Sequence, residues 1–198
     1  MTTDLERALR ATAPDDHEPA DIATIAADAG LLDVAYIVTD APVGRLVLAQ
    51  SDRGLVACSY DDEEIVLDRL ARRVSSRVIR APRHLDAVRR ELDDYLSGKR
   101  TAFSVPVDLR LASPFGQAVL EAATAVNYGA TTTYASIAAA LGNPKASRAV
   151  GNALGANPVC IVVPCHRVLP AGGGVGGYAG GPQIKAQLLE LEGRAAAR

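Results

Sequence analysis

Residues 157–168 read Asn-Pro-Val-Cys-Ile-Val-Val-Pro-Cys-His-Arg-Val. The apolar, β-branched centre predicts a buried strand that delivers the chain to Pro164 and fixes the Cys165 thiol in space. A thiol attacks only as thiolate, so a reactive cysteine needs a neighbouring base or a cationic environment. His166 and Arg167 are candidates for both. The alternative is that Cys165 packs as a small hydrophobe, as expected for Cys160 within the run and for Cys58.

Just upstream, short helices dominate. Ser113-Pro114 is an N-cap followed by Pro at the first helical position, and it leads an amphipathic helix to about Asn127. Thr133 caps a short helix over 134–141 that stops at Gly142-Asn143-Pro144, and another covers about 145–154. Two short helices joined by a tight glycine-containing turn have the shape of a helix-turn-helix, although most such pairs are packing motifs. Nearer the N-terminus, Val34–Val38, Arg45–Ala49 and Leu55–Tyr60 read as three short strands of an antiparallel meander. Pro42 with Gly44, and Ser51-Asp52-Arg53-Gly54, separate them. Helices over about 62–73 and 83–97 follow, and Phe103–Val107 adds an edge strand. Residues 1–33 read as an acidic helical extension interrupted by Pro14 and Pro19. The expected fold class is α+β, with an extension of unknown role over 1–33, an N-terminal domain of antiparallel sheet and helices over 34–108, and a mainly helical C-terminal domain over 109–198.

Composition narrows the classes. With 198 residues, 48% hydrophobic and 22% charged, and a mean hydropathy of +0.09, the chain is expected to fold around a core and not to span a membrane. Three cysteines without a targeting signal argue against a disulfide framework and for a reduced, cytoplasmic compartment. Cys160 and Cys165 have only His166 nearby and form no CxxC pair, with His17 and His84 far off, so no metal site is expected.

The formal net charge of −2 speaks against a nucleic-acid partner only if charge is evenly mixed. It is not. Residues 1–33 hold eight acids and two bases, 34–100 eleven and twelve, and 101–198 four and seven. No acid lies between Glu121 and Glu190, while Lys145, Arg148, Arg167 and Lys185 do, so an anion is tolerated there. A mostly buried Ala/Gly-rich segment is the alternative. The run Gly172–Gly177 contains a formal GxGxxG, but twenty-one residues follow Gly177, too few for the rest of a dinucleotide-binding βαβ unit. It reads better as a pocket wall.

Pro164-Cys165-His166-Arg167-Val168 resembles the active-site signature of the methylated-DNA:protein-cysteine methyltransferases, the O6-alkylguanine-DNA alkyltransferases. The resemblance takes in Tyr134, Gly142-Asn143-Pro144-Lys145, Arg148-Ala149-Val150-Gly151, Asn157-Pro158, Gly176-Gly177-Tyr178, Gly180-Gly181 and Leu188 to Gly193. Pro42-Val43-Gly44 and Gly54-Leu55 are similar to the family's N-terminal domain.

The resemblance implies an irreversible, single-turnover displacement in which Cys165 takes an alkyl group from O6-alkylguanine, and also from O4-alkylthymine, without a cofactor. By the same resemblance His166 takes the Cys165 proton through a water, Glu192 orients the imidazole, Asn157 holds the turn at the cysteine, and Tyr134 donates its hydroxyl to the base. Arg148 fills the gap left by a nucleotide flipped out of the duplex, since an O6-alkyl group inside the stack cannot be attacked in line. Small residues around it, Ala146, Ser147 and Gly151, suit a winged helix-turn-helix-like element that enters the minor groove. Val168, Tyr178 and Ala179, the last often Ser in the family, line the base pocket. The implied partner is double-stranded DNA, bound by a monomer. Two other readings stay open here: a non-catalytic lesion sensor similar to the alkyltransferase-like proteins, which usually lack the cysteine, and a helix-turn-helix transcriptional regulator.

Overall fold

The three alternating segments pair as the meander that their turns dictate. β1 (Val34–Ala41) and β2 (Gly44–Ser51) run antiparallel with Val34 opposite Ser51 and Ala41 opposite Gly44, and β3 (Gly54–Ser59) continues beside β2. In the computed structural model, which describes residues 25–26 and 29–196, the sheet order is β3-β2-β1-β4. Most of the acidic extension predicted over 1–33 lies outside the described residues.

β4 (Val78–Arg80), which pairs parallel to β1, is an addition to the sequence reading. Two half-buried residues and an exposed arginine carry no alternation from which to detect a strand. Between β3 and β4 runs α1 (Glu63–Arg73), which buries Val66 and Leu70 against one sheet face, formed by Val34, Val47, Ala49 and Val56. The other face, with Ile37, Leu46, Leu48, Leu55 and Cys58, packs on α2 (Asp86–Leu96) and on the C-terminal half in one continuous core. Alternate residues of β1 and β2 thus serve two different cores.

The predicted strand over Phe103–Val107 reduces to one bridge between Leu55 and Val107. The Leu55 N–H donates to the Pro106 carbonyl at 2.8 Å and Asp108 N–H to the Leu55 carbonyl at 2.9 Å. Pro106 has no N–H to extend the ladder.

The C-terminal half begins with α3 (Pro114–Thr124), whose N-terminus is capped by the Ser113 hydroxyl accepting from Gly116 N–H. α4 (Tyr134–Ala140) is capped by Thr133, and after a 3₁₀ turn over Pro144–Ala146 comes α5 (Ser147–Gly155), completing the helix-turn-helix. β5 (Thr132–Thr133) pairs with β6 (Val168–Leu169), and α6 (Pro182–Ala196) closes the fold.

Residues 157–168 are all buried, but they are not the predicted strand. They touch β3 once, where Cys58 N–H donates to the Pro158 carbonyl at 2.9 Å and Cys160 N–H to the Cys58 carbonyl at 2.8 Å. The chain then folds back on itself, with Val163 N–H on the Val159 carbonyl at 2.9 Å and Ile161 at φ 71. That is a strained setting for a β-branched residue. The β-branched residues here report burial and not ladder pairing, which periodicity cannot separate in a short apolar run.

Gly54 begins β3 at φ +134, and a Cβ there would lie 2.3 Å from the Pro106 carbonyl oxygen. Gly54→Ala is therefore expected to lower stability by roughly 2–4 kcal/mol, combining backbone strain with overpacking. Urea unfolding should show a lower midpoint at unchanged slope.

Candidate active site

Glu192 on α6 is 1% exposed and gathers donors from separate parts of the chain. Its Oε1 accepts the hydroxyl of Tyr95 on α2 and lies 2.7 Å from His166 Nε2. Arg167 Nε reaches Oε1 at 3.1 Å and Oε2 at 3.0 Å, and Gly129 N–H donates to Oε2 at 2.9 Å. Arg167 also donates to the Val126 carbonyl at 2.5 Å, and its guanidinium lies over the Tyr128 ring.

Burial alone would raise the Glu192 carboxyl. Hydrogen bonds from His166, Tyr95 and Gly129 outweigh it and bring the group down to about 2, so it is ionised at neutral pH. An ionised carboxylate only accepts, so His166 Nε2 carries the proton and Nδ1 keeps its lone pair. Nδ1 is buried with no hydrogen-bond partner among the described residues. Burial lowers the basicity of His166, and the charges of Arg167 and Lys185 act in the same direction, against the pull of Glu192.

Cys165 begins the 3₁₀ turn Cys165–Arg167 directly after Pro164. Asn157 builds its surroundings, with Nδ2 donating to Cys165 Sγ and to the Val163 carbonyl, both at 3.1 Å, and Oδ1 accepting Val159 N–H at 3.0 Å. The Cys165 thiol is held below its ordinary value first by a hydrogen bond from Cys160, then by Asn157 and the charge of Lys185, against the effect of burial. Its partner Cys160 is pushed up, by that same hydrogen bond and by burial. Lys185, 1% exposed, donates to the carbonyls of Val168 at 2.8 Å and Gly177 at 3.3 Å. It thereby pins the glycine-rich loop back against the turn that carries Cys165.

Cys165 opens onto a cavity of about 380 Å³ whose walls include Tyr134, Gly151, Leu154, Tyr178 and Ala179. Gly176, at φ +69, brings its backbone against the Tyr134 hydroxyl, which a Cβ there would approach to 3.2 Å. Val168 does not line this cavity: its side chain is fully buried, and its carbonyl is engaged by Lys185. Arg148, exposed in the first turn of α5, lies outside the cavity wall together with Ala146 and Ser147. A larger cavity of about 490 Å³ in the N-terminal half has its charged carboxylates and arginine in ion pairs. There Asp33 pairs with Arg77, and Arg110 with Asp52 and Asp108.

The structure thus hydrogen-bonds Cys165 to Asn157 and the adjacent His166 to Glu192, as two separate pairs, and places Tyr134, Tyr178, Ala179 and Gly151 around the cavity. Sequence reasoning missed Tyr95, Lys185, Gly129 and the contact of Cys160 with Cys165. For Tyr95 a signal existed. It shares the apolar face of α2 with Val88 and Leu92, and a buried phenol needs a partner for its hydroxyl.

Residues 34–109 match the family model for the ribonuclease-like domain of 6-O-methylguanine DNA methyltransferase, and residues 114–194 the model for its DNA binding domain. A methylated-DNA–protein-cysteine methyltransferase of Methanosarcina acetivorans is 37% identical over 161 residues, covering 80% of this chain and 97% of the relative. One of Mycolicibacterium paratuberculosis is 38% identical over 161 residues, 81% of this chain and 93% of the relative. The crystal structure of Mycobacterium tuberculosis OGT in complex with DNA aligns with a TM-score of 0.70 at 37% identity, covering 81% of this chain and 94% of that one.

Replacing Glu192 by Gln leaves Arg167 buried without a counter-charge, an expected loss of about 3–5 kcal/mol at pH 7 in denaturant unfolding. Because the folded-state carboxyl is depressed from 4.5 to about 2, its stabilisation is complete above pH 4.5 and fades as pH falls towards 2. The gap between wild type and Glu192→Gln should therefore narrow across that window.

Proposed function

The chain belongs to the 6-O-methylguanine DNA methyltransferase family, and on that premise we propose that it repairs DNA by moving the alkyl group of O6-alkylguanine irreversibly onto its own Cys165. The observation that carries this is the placement of Cys165 Sγ at a cavity of about 380 Å³, backed by the Asn157 donor and the His166–Glu192 pair. That volume falls within the ~300–1,000 Å³ typical of small-ligand sites.

In the proposed step the Cys165 sulfur attacks the alkyl carbon in line. The C–S bond forms as the C–O6 bond breaks, and the electron pair leaves with the guanine. His166 starts neutral, because burial disfavours imidazolium, so Nδ1 is free to take the thiol proton through a water. Glu192, oriented by Tyr95, Arg167 and Gly129, holds the ring and stabilises the imidazolium that results. Tyr134 is kept protonated by burial and by its nearness to Cys165, and it donates to the departing base. The product is a thioether. A thiolate is a poor leaving group in such a displacement, so each molecule reacts once. O4-alkylthymine presents the same alkyl–oxygen bond and is included in the substrate class.

A duplex base reaches this cavity only by leaving the stack, and Arg148 is placed to fill the gap. It is exposed in the first turn of the second helix of the helix-turn-helix, flanked by Ala146, Ser147 and Gly151, whose small side chains let that helix approach the minor groove closely. No acid lies between Glu121 and Glu190 to repel phosphate. With few cations available, binding should weaken only shallowly with salt. No cofactor enters this scheme. Cys165 with its thiol lowered favours a reacting protein over a passive lesion sensor. We further infer a monomer in the reduced cytoplasm; among the described residues no helix is long and apolar enough to cross a membrane.

After mixing with an O6-methylguanine duplex, the tryptic peptide over 149–167 should gain one methyl group, and Cys165→Ala should gain none. A folded wild type without that mass overturns the reading. Tyr134→Phe should slow transfer by about 10²-fold on both duplex and free base. Arg148→Ala should slow it on duplex alone, which single-turnover rates will resolve.

A further inference from the structure

The mechanism uses one of three buried thiols. Cys58 and Cys160 are free as well, and Cys160 lies directly behind the reacting sulfur. Four residues separate Cys160 from Cys165, but the backbone folds back between them through Val163 N–H to Val159 O at 2.9 Å and Cys165 N–H to Val163 O at 2.8 Å. Both sulfurs then meet the same residue. Asn157 Nδ2 donates to Cys165 Sγ at 3.1 Å, and Cys160 Sγ has the Asn157 carbonyl oxygen at 3.6 Å.

The two thiols differ in exposure. Cys165 is at the cavity wall, while Cys160 is 1% exposed and does not line the cavity. An oxidant entering the cavity meets Cys165 first. A sulfenic acid formed there would already be in contact with a second thiol, the arrangement that separates a resolvable oxidation from an irreversible one.

We propose that Cys160 is a resolving cysteine, and that peroxide converts the active site to a reversible Cys160–Cys165 disulfide. In the first step the Cys165 thiolate attacks a hydroperoxide oxygen. The S–O bond forms, the O–O bond breaks, and hydroxide leaves with its electron pair. In the second the Cys160 sulfur attacks the Cys165 sulfur, so that the S–S bond forms and the S–O bond breaks. The Cys160 proton leaves with the hydroxyl as water. With hydrogen peroxide as oxidant, two thiols and one peroxide give one disulfide and two waters. The sulfurs begin on either side of Asn157 and close to the ~2.05 Å of a disulfide.

The lowered Cys165 thiol and the raised Cys160 thiol agree with this division of labour, since the first supplies the thiolate and the second keeps the proton that the leaving hydroxyl needs. Cys58 is fully buried in β3 and pushed up to about 12, so it is no competitor for the oxidant. The disulfide blocks alkyl acceptance while it lasts, and thiol reductants restore it. For a protein consumed once by its substrate, this protects the acceptor from loss as sulfinic acid. That consequence rests on the function proposed above; the disulfide itself does not.

The test is mass spectrometry of the full chain after brief exposure to hydrogen peroxide, quenched with iodoacetamide. Both cysteines lie on the tryptic peptide over 149–167, and Cys58 lies on another. The expected result is loss of two hydrogens from the 149–167 peptide with neither thiol labelled, and full recovery of both labels after dithiothreitol. Methyl acceptance from an O6-methylguanine duplex should vanish in the oxidised sample and return on reduction. In Cys160→Ala, peroxide should instead add two oxygens at Cys165, and dithiothreitol should restore nothing. A cross-link to the Cys58 peptide overturns the proposal, as do sulfinic acid in the wild type without the two-hydrogen loss and equal recovery in Cys160→Ala. If the reduced protein accepts no methyl group, the proposed function fails while the disulfide result still stands or falls on mass alone.

Discussion

A carboxylate buried to 1% exposure and still ionised is expensive unless every lone pair is met, and Glu192 is met on all sides. Its donors come from α2, from the Gly129 turn after α3 and from the His166-Arg167 pair. No two of these groups are neighbours in sequence except the last pair. The requirement that they converge on one carboxylate therefore ties the N-terminal half, the segment after α3 and the closing helix into one unit. A second tie runs through Cys58, whose backbone bonds to Pro158 and Cys160 anchor the 157–168 segment to the sheet.

The same convergence sets the chemistry. An ionised Glu192 fixes the tautomer of His166 and leaves Nδ1 as the basic atom, while Asn157 and Lys185 hold the Cys165 turn and the glycine-rich loop on either side of the cavity. The arrangement is set within the folded protein and does not wait for a ligand, which is what a reaction dominated by positioning requires. The neighbouring thiols show how local this control is. Cys165 and Cys160 touch the same asparagine and each other, yet one is lowered and the other raised, because Cys165 receives the donors and Cys160 supplies one.

The motif order Tyr134, Arg148, Asn157, Cys165-His166 and Glu192 was readable along the chain, as were the meander, the Ser113 and Thr133 caps and the two helices around Gly142-Asn143-Pro144. Each depends on short-range chemistry: alternation, a capping hydroxyl, a glycine or proline at a turn. The differences from expectation have separate causes. The apolar run over 157–168 predicts a strand and forms none, because burial enriches β-branched residues whether or not a ladder forms, and the Phe103–Val107 strand fails at Pro106, where a single missing N–H ends pairing. Val168 was placed in the base pocket, but its side chain faces the core and only its carbonyl is engaged, by Lys185.

By itself the sequence determined the α+β class, the antiparallel meander, the helix-turn-helix and the Cys165-His166 pair as candidate nucleophile and base, because these are legible in residue type and order along the chain. Tertiary structure alone decided that a phenol from the N-terminal half reaches the buried Glu192 carboxylate and that a buried lysine pins the cavity loop. It also decided that a second thiol lies behind the first. Those contacts join residues as far apart as Tyr95 and Glu192, 97 positions along the chain, and a pattern of local periodicity carries no information about which distant donor will satisfy a buried charge.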